Sequence, residues 1–248
     1  MPRGLSAELT AAAADPAASQ RAPIVTRRSA VFIAIGVLAY LVALIASWPA
    51  RFALTPSPRF AVAGTVWSGE AVIDGAYRIQ WRWAPWRSLA SFAYAADVRL
   101  TGTGTDIAGS ATRISGGYAF EGLAGRGDGA LLAALAPSLP FACDTTLQID
   151  LPKLRIAGAA SAAVGSIRAD GGSCAAKGSA ETSPLPPLRI SALAEPGNAT
   201  RITAAPLGQA RRQMIEGGIA SGRLTLTPTH VGIALLPLLA TVRIDSAL

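Results

Sequence analysis

The sequence predicts a mainly β protein that follows a single N-terminal membrane-spanning helix. Three observations predict this class: an early uncharged apolar run, alternation of apolar and polar residues beyond it, and short glycine-rich separators between the alternating stretches. The expected body is an antiparallel β-rich domain, a curved sheet or sandwich-like meander, with one or two short helices. A chain of 248 residues is long enough for one sizeable domain or two small ones.

The apolar run extends from Ser29 to Trp48, reads SAVFIAIGVLAYLVALIASW and contains no charged residue. A helix of about 20 residues rises about 30 Å, the thickness of the hydrocarbon core of a bilayer, and Pro49 then stops the helix. A cleavable signal peptide has a shorter apolar core and a small residue three positions before the cut. Cleavage after Ala50 would put Trp48 at that position, so the sequence favours an uncleaved anchor.

Basic residues flank the span and predict its orientation. They are Arg3, Arg21, Arg27 and Arg28 before it, and Arg51 and Arg59 after it. Because positive charge is retained on the cytoplasmic side, we expect the N-terminus to be cytoplasmic and residues 49–248 to be translocated. Residues 1–28 are expected to form a short disordered tail.

Beyond the anchor, the clearest strand is Tyr77–Trp83, which reads YRIQWRW. Its aromatic and aliphatic residues are odd-numbered and its Arg and Gln residues are even-numbered, the alternation of a half-buried strand that ends at Pro85. Further strands are predicted at 92–100, 107–114, 118–123, 147–156, 164–169, 188–193, 200–204, 222–227 and 230–236. Short helices are predicted at 129–136 and 207–215.

Two glycine-containing segments have similar spacing. GTVWSGEAVID begins at Gly64 and GGIASGRLTLT begins at Gly217, and each has a glycine, four residues, another glycine and then a predicted strand. The echo is compatible with two related halves divided near the proline-rich residues 183–187, although glycine followed by a strand is common in hairpins.

The net charge of +7 comes almost wholly from arginine, since the only lysines are Lys153 and Lys177. A nucleic-acid-binding protein clusters its basic residues. Here the longest basic runs are the pairs Arg27-Arg28 and Arg211-Arg212. We therefore expect no nucleic-acid partner.

The two cysteines, Cys143 and Cys174, lack the spacing of a zinc site. If the C-terminal part lies outside the cytoplasm, a disulfide between them is the natural interpretation. The alternative is a pair of buried reduced thiols.

The sequence offers little for catalysis. His230 is the only histidine, no G-x-S-x-G motif is present, and the carboxylates are sparse. We expect no enzyme activity, no metal and no cofactor. The alternative, an anchored hydrolase that uses His230, predicts that replacing this histidine abolishes function.

Trp67, Trp81, Trp83 and Trp86 lie close together in the sequence. Such residues pack in cores and across strands more often than they line a carbohydrate or lipid groove, but both interpretations remain open.

A family resemblance rests on these same residues. A short tail, one anchor, the turn Gly64-Thr65-Val66-Trp67-Ser68-Gly69, and then a strand that ends in Trp83-Ala84-Pro85-Trp86 resemble the type II secretion system protein N family. The later GGIASGRLTL also looks like the C-terminal glycine-strand segment of that family.

The resemblance implies a non-enzymatic accessory or scaffold protein of the bacterial inner membrane. Its N-terminus would be cytoplasmic, its C-terminal domain periplasmic, and its partners other secretion-system components. Within this interpretation, Gly64, Thr65, Trp67, Gly69, Trp83 and Pro85 are motif residues. The alternative function is binding or transport of an envelope lipid or glycolipid by an apolar groove on a curved sheet.

Overall fold

A computed structural model describes residues 27–52, 60–135, 139–197, 199–241 and 243–247. The chain divides into two compact units between Ile45 and Ala46. The predicted tail, residues 1–28, lies outside the described residues except for Arg27 and Arg28, which already belong to the first helix.

Helix α1 comprises Arg27–Ala46 and is uncharged from Ser29 onward. Its apolar side chains are exposed, and it is long and apolar enough to cross a membrane. The helix ends two residues before the predicted end at Trp48, because the ring of Pro49 disfavours helical geometry in the preceding residue.

The second unit is built on a 13-stranded sheet in which every described pairing is antiparallel. Its strands, in their order across the sheet, are β1 (Phe60–Gly64), β2 (Ser68–Ile73), β3 (Tyr77–Trp83), β4 (Ala95–Gly102), β5 (Thr105–Ile114), β6 (Gly117–Asp128), β8 (Thr146–Ile156), β9 (Ala162–Ala169), β12 (Leu188–Glu195), β13 (Ala199–Pro206), β14 (Ile215–Ala220), β15 (Arg223–Pro228) and β16 (Ile244–Ala247). Strands that are consecutive in the chain are therefore mostly neighbours in the sheet.

The remaining elements lie between these strands in the sequence. They are β7 (Phe141–Asp144), β10 (Gly172–Ala176) and β11 (Thr182–Leu185), which form a small sheet, and helices α2 (Pro85–Ser91), α3 (Gly129–Leu135) and α4 (His230–Leu235). Short 3-10 turns occur at Ala50–Phe52, Gly158–Ala160 and Pro237–Thr241.

The large sheet has an apolar face and a polar face, because directly paired residues point to the same side. Ile79, for example, pairs with Ala71 on one side and Leu100 on the other, whereas its neighbour Gln80 pairs with Glu70 and Arg99. Both faces follow from the alternation in the sequence.

Three groups of buried residues form on the apolar face. One lies under the small sheet, α4 and the following 3-10 turn, and is centred on Met214. A second lies under α3, where Leu131 packs with Tyr77 and Ile107. The third is centred on Ala192 and Ile219 and consists of residues of the sheet itself.

The predicted class, mainly β and antiparallel after one apolar helix, is confirmed, and the described residues of the second unit form three short α-helices instead of one or two. Strand β3 has its predicted bounds, and α3 ends one residue before the predicted Ala136, which lies outside the described residues. The large sheet is not interrupted at the division predicted near residues 183–187, because β9, which precedes these residues, pairs directly with β12, which follows them.

Two predicted elements are wrong. Residues 207–214 form turns instead of a helix, because the Met214 amide donates to the Ala204 carbonyl and extends the pairing toward β14. Residues 230–235 form helix α4 instead of a strand. The Thr229 hydroxyl accepts from the Gly232 amide at 3.1 Å, which is an N-cap that starts a helix.

Helix α2 was also missed, and the strand predicted at 92–100 begins only at Ala95. Pro85 ends β3 as expected but also occupies the first turn of α2, where its missing N–H has no cost.

Candidate functional site

The GTVWSG segment is a tight turn between β1 and β2. The Thr65 amide donates to the Ser68 carbonyl at 2.9 Å, and the Thr65 hydroxyl accepts from the Ser68 amide at 3.1 Å. A Cβ at Gly64 would lie 2.7 Å from the Gly69 Cα, and one at Gly69 would lie 2.4 Å from the Trp81 ring. Both motif glycines are therefore required by close contacts.

Three successive carbonyls of this turn accept hydrogen bonds from residues that follow it. The Trp81 indole N–H donates to the Thr65 carbonyl at 3.1 Å, and the Tyr94 hydroxyl donates to the Val66 carbonyl at 2.5 Å. The Trp83 amide donates to the Trp67 carbonyl at 2.7 Å. Burial raises the pKa of the Tyr94 phenol, which keeps this donor protonated. The aromatic residues thus hold the backbone of the turn.

Trp67 is half-buried and therefore does not occupy the fully buried position that a core residue would have. Its ring packs edge-on against Trp83, with centroids 4.9 Å apart, and lies 6.3 Å from the Tyr94 ring. Trp67 and Trp83 are therefore packing partners, the Trp81 ring lies against Gly69, and Trp86 is 82% exposed.

The same turn binds the chain that follows α1. The Val66 amide donates to the Trp48 carbonyl at 3.0 Å, and Pro49 forms an isolated antiparallel bridge with Thr65. The GTVWSG turn therefore connects the first residues after the apolar helix to the start of the sheet.

Trp83 and Pro85 connect the turn to α2. The Trp83 indole N–H donates to the Ser88 hydroxyl at 2.9 Å, and the same hydroxyl accepts from the Ala95 amide at 2.9 Å. Ser88 thus fixes α2 to β3 and β4. The six motif residues, namely Gly64, Thr65, Trp67, Gly69, Trp83 and Pro85, all belong to this one substructure.

An apolar groove of about 230 Å³ lies on the apolar face of strands β8, β9 and β12–β15. Its walls include Leu151, Leu154, Ile167, Ile190, Ile202 and Leu224, and Arg155 and Ser166 also line it. The alternative function expected an apolar groove on a curved sheet, and no described Trp residue lines this one.

The sheet curls at this groove. The Thr200 hydroxyl of β13 accepts from the Ala163 amide of β9 at 3.0 Å, although β12 separates these two strands in the sheet. Gly222, in the β14–β15 turn, lies against the backbone of Gly158, in the β8–β9 connection. The curl brings these two connections together at one end of the groove.

The polar face carries a row of arginines. Arg126 pairs with Gln148, Gln148 with Arg168, and Arg168 with Arg189, across four adjacent strands. They line a shallow depression of about 520 Å³ that also includes Asp150 and Ser166. Arg126, Arg168 and Arg189 are exposed and make no ion pair with any described residue.

Two arginines nearer the edges of the sheet form ion pairs with carboxylates. Arg99 contacts Asp106 at 2.6 Å, and Arg223 contacts Asp245 at 2.6 Å. The hydrogen bonds that the Arg99 guanidinium donates lower the pKa of Asp106, and the charge of Arg99 adds to this effect. Arg126, Arg168 and Arg189 differ from these two arginines because they have no carboxylate partner among the described residues.

A partly buried polar network holds α3 on the sheet. Asp128 accepts from the Tyr77 hydroxyl at 2.8 Å, from the Thr105 hydroxyl at 3.3 Å and from the Leu131 amide at 2.9 Å. Burial, followed by the hydrogen bond to Asp128, raises the pKa of Tyr77 to about 12. This network was not predicted from the sequence, although Asp directly before a helix is a common N-cap.

The remaining sequence candidates are separate from these features. The sulfur atoms of Cys143 and Cys174 are 2.02 Å apart, the distance of a disulfide, and join β7 to β10. His230 is exposed at the start of α4. Among the described residues, no group of His, Cys, Asp or Glu could hold a metal ion.

No protein-family model, no curated protein and no solved structure matches this chain. The fold and its contacts define a protein with one apolar N-terminal helix and a large antiparallel sheet that carries an apolar groove.

Proposed function

We propose that this protein is a non-enzymatic accessory component of a type II secretion system. In this proposal α1 anchors it in the bacterial inner membrane, and the second unit lies in the periplasm and contacts other secretion components. One observation carries the proposal: the residues that resemble the protein N family form a single substructure, the GTVWSG turn with its aromatic donors and α2.

The sheet offers a means of contact. Among the described strands, β16 pairs only with β15, so its outer edge retains backbone donors and acceptors that can pair with a strand of another protein. Anchoring raises the effective concentration of co-anchored partners, so weak contacts of this kind suffice.

The test is deletion of the gene in its source bacterium, with exported enzymes measured in the medium. A photocrosslinking amino acid at Ser246, on β16, is expected to capture a secretion-system protein that mass spectrometry identifies. The same residue at Leu193, in the middle of the sheet, is the control. Normal secretion after deletion would overturn the proposal.

The apolar groove favours a second candidate, binding of an envelope lipid or glycolipid. Its aliphatic walls suit an acyl chain, because apolar walls with few polar groups are typical of such sites. A photocrosslinker at Leu154, inside the groove, is expected to capture radiolabelled lipid in cells. A crosslinker at Leu193, on the opposite face, should not, and equal labelling at both positions would contradict this function.

A further inference from the structure

Helix α2 presents an apolar surface to solvent. Trp86 is 82% exposed, Leu89 65% and Phe92, the residue after the last turn, 99%. These three residues, the α2 patch, are spaced three apart and so lie on one side of the helix. The patch is unusual because large side chains on a short helix normally pack inward.

The polar side of α2 is the side that contacts the domain. The Ser88 hydroxyl accepts from the Ala95 amide, and the Arg87 guanidinium contacts the Asp97 carboxylate at 2.6 Å. Polar contacts therefore fix the helix and direct the α2 patch outward.

Phe92 combines an unfavourable backbone conformation with an exposed side chain. Its φ is 50°, in the left-handed region that favours glycine, and it caps the helix with its amide donating to the Leu89 carbonyl. An exposed aromatic side chain in this conformation loses backbone stability and gains little packing. A contact outside the described chain would account for it.

A series of contacts connects helix α2 to the residues that follow the apolar helix. Trp83 connects α2 to Trp67, and the neighbouring Val66 amide donates to the Trp48 carbonyl. Trp48 comes two residues after Ala46, the last residue of the candidate span. Trp48 and Phe52 are themselves 53% and 69% exposed.

We propose that the α2 patch inserts into the interfacial layer of the membrane that α1 spans. This inference rests on the anchoring role of α1 in the proposed function. Tryptophan and phenylalanine favour the boundary between headgroups and acyl chains, and short amphipathic helices bind there through their apolar side. The continuity of the chain from Ala46 to Trp48 argues for the lipid surface as the occupant of the patch.

The test uses the full chain in nanodiscs of phosphatidylethanolamine and phosphatidylglycerol. Leu89→Cys carries an environment-sensitive NBD label, and Leu193→Cys is the matched control, since Leu193 is 61% exposed. No free cysteine competes for the label among the described residues. Doxyl-labelled lipid is expected to quench the label at position 89 several-fold more than the label at position 193, with a blue-shifted emission at position 89.

A third label at Val37→Cys, within α1, separates the two proposals. Quenching at position 37, with equal and weak quenching at 89 and 193, would overturn membrane insertion of the α2 patch and leave the anchor intact. In that case the patch would be a surface for a protein partner. Absence of quenching at position 37 would overturn the anchor and this inference together.

Discussion

Two regions of one sheet face differ in how they are covered. Around Met214, the apolar face lies beneath the small sheet and α4, and Met214 and Cys174 are each 1% exposed. Around Ile202, the apolar contacts on the same face come from residues of the large sheet alone, and a groove remains there. The comparison shows that apolar alternation does not by itself define a sealed core, because a covering element is also required.

The largest expected effect lies in the sealed region. Met214→Ala removes a fully buried side chain and leaves a cavity, and should lower the free energy of unfolding by about 2–5 kcal/mol. Ile202→Ala, in the half-buried wall of the groove, should cost about 1 kcal/mol. Guanidinium unfolding of the full chain in detergent, followed by tryptophan fluorescence, measures both. Equal losses would break the comparison.

Reduction of the disulfide should affect the sealed region next most strongly. Cys143 and Cys174 are 31 residues apart, and the chain-entropy model assigns a loop of this size about 3–4 kcal/mol. Dithiothreitol should shift the unfolding midpoint of the wild-type protein to lower denaturant. The double variant Cys143→Ala/Cys174→Ala is the control and should not respond, while an unchanged wild-type midpoint would contradict the prediction.

A third prediction concerns the curl beside the groove. Gly222 has a φ of 76°, and a Cβ there would lie 2.6 Å from the Gly158 carbonyl carbon. Gly208 has a φ of 78° with open space around it, so Gly208→Ala carries only the backbone cost of about 1 kcal/mol. Gly222→Ala should cost measurably more in the same unfolding assay. Equal costs would show that the two connections do not touch.

A smaller effect concerns Tyr77, under α3. Its folded pKa of about 12 exceeds the ordinary value of 10.0, so the unfolded chain loses this proton first as the pH rises. The contribution is complete below pH 10 and should be lost between pH 10 and about 12. Urea unfolding across this range should show a steeper fall for wild type than for Tyr77→Phe. Parallel curves would contradict the assignment.

The smallest effect is expected on the polar face. Arg168 and Arg189 lie directly opposite each other on the adjacent strands β9 and β12, and like charges in this position destabilise a sheet. Arg168→Gln should therefore raise the free energy of unfolding by a few tenths of a kcal/mol. Arg99→Gln, which removes an ion pair with Asp106, is the matched control and should not raise it. A lower free energy of unfolding for Arg168→Gln would show that other contacts of Arg168 outweigh its repulsion by Arg189.

Much of the fold was predictable because most strands show their own alternation of apolar and polar residues and pair with the next strand in the chain. In Tyr77–Trp83 the two-residue alternation gives both the bounds of the strand and the side that packs inward. Residues 230–235 show where this fails. A short apolar run fits a strand or a helix equally well, and the Thr229 N-cap decides between them.

The candidate sites were predictable in unequal measure. The GTVWSG turn stands in one continuous segment, so its glycines and Trp67 could be found directly. The groove and the arginine row depend on pairings such as Arg168 with Arg189, between strands separated by β10 and β11. No local pattern reports the register between such strands.

The order of strands also has a consequence for how the protein folds. From β1 to β6, each strand pairs with the one made just before it, so hairpins can form one after another while the rest of the chain is still emerging. The small sheet is an exception to this order, because β7 pairs with β10, which is synthesised later, and the disulfide between Cys143 and Cys174 requires both strands. We therefore expect the disulfide to be a late event that locks a sheet already assembled on its N-terminal side.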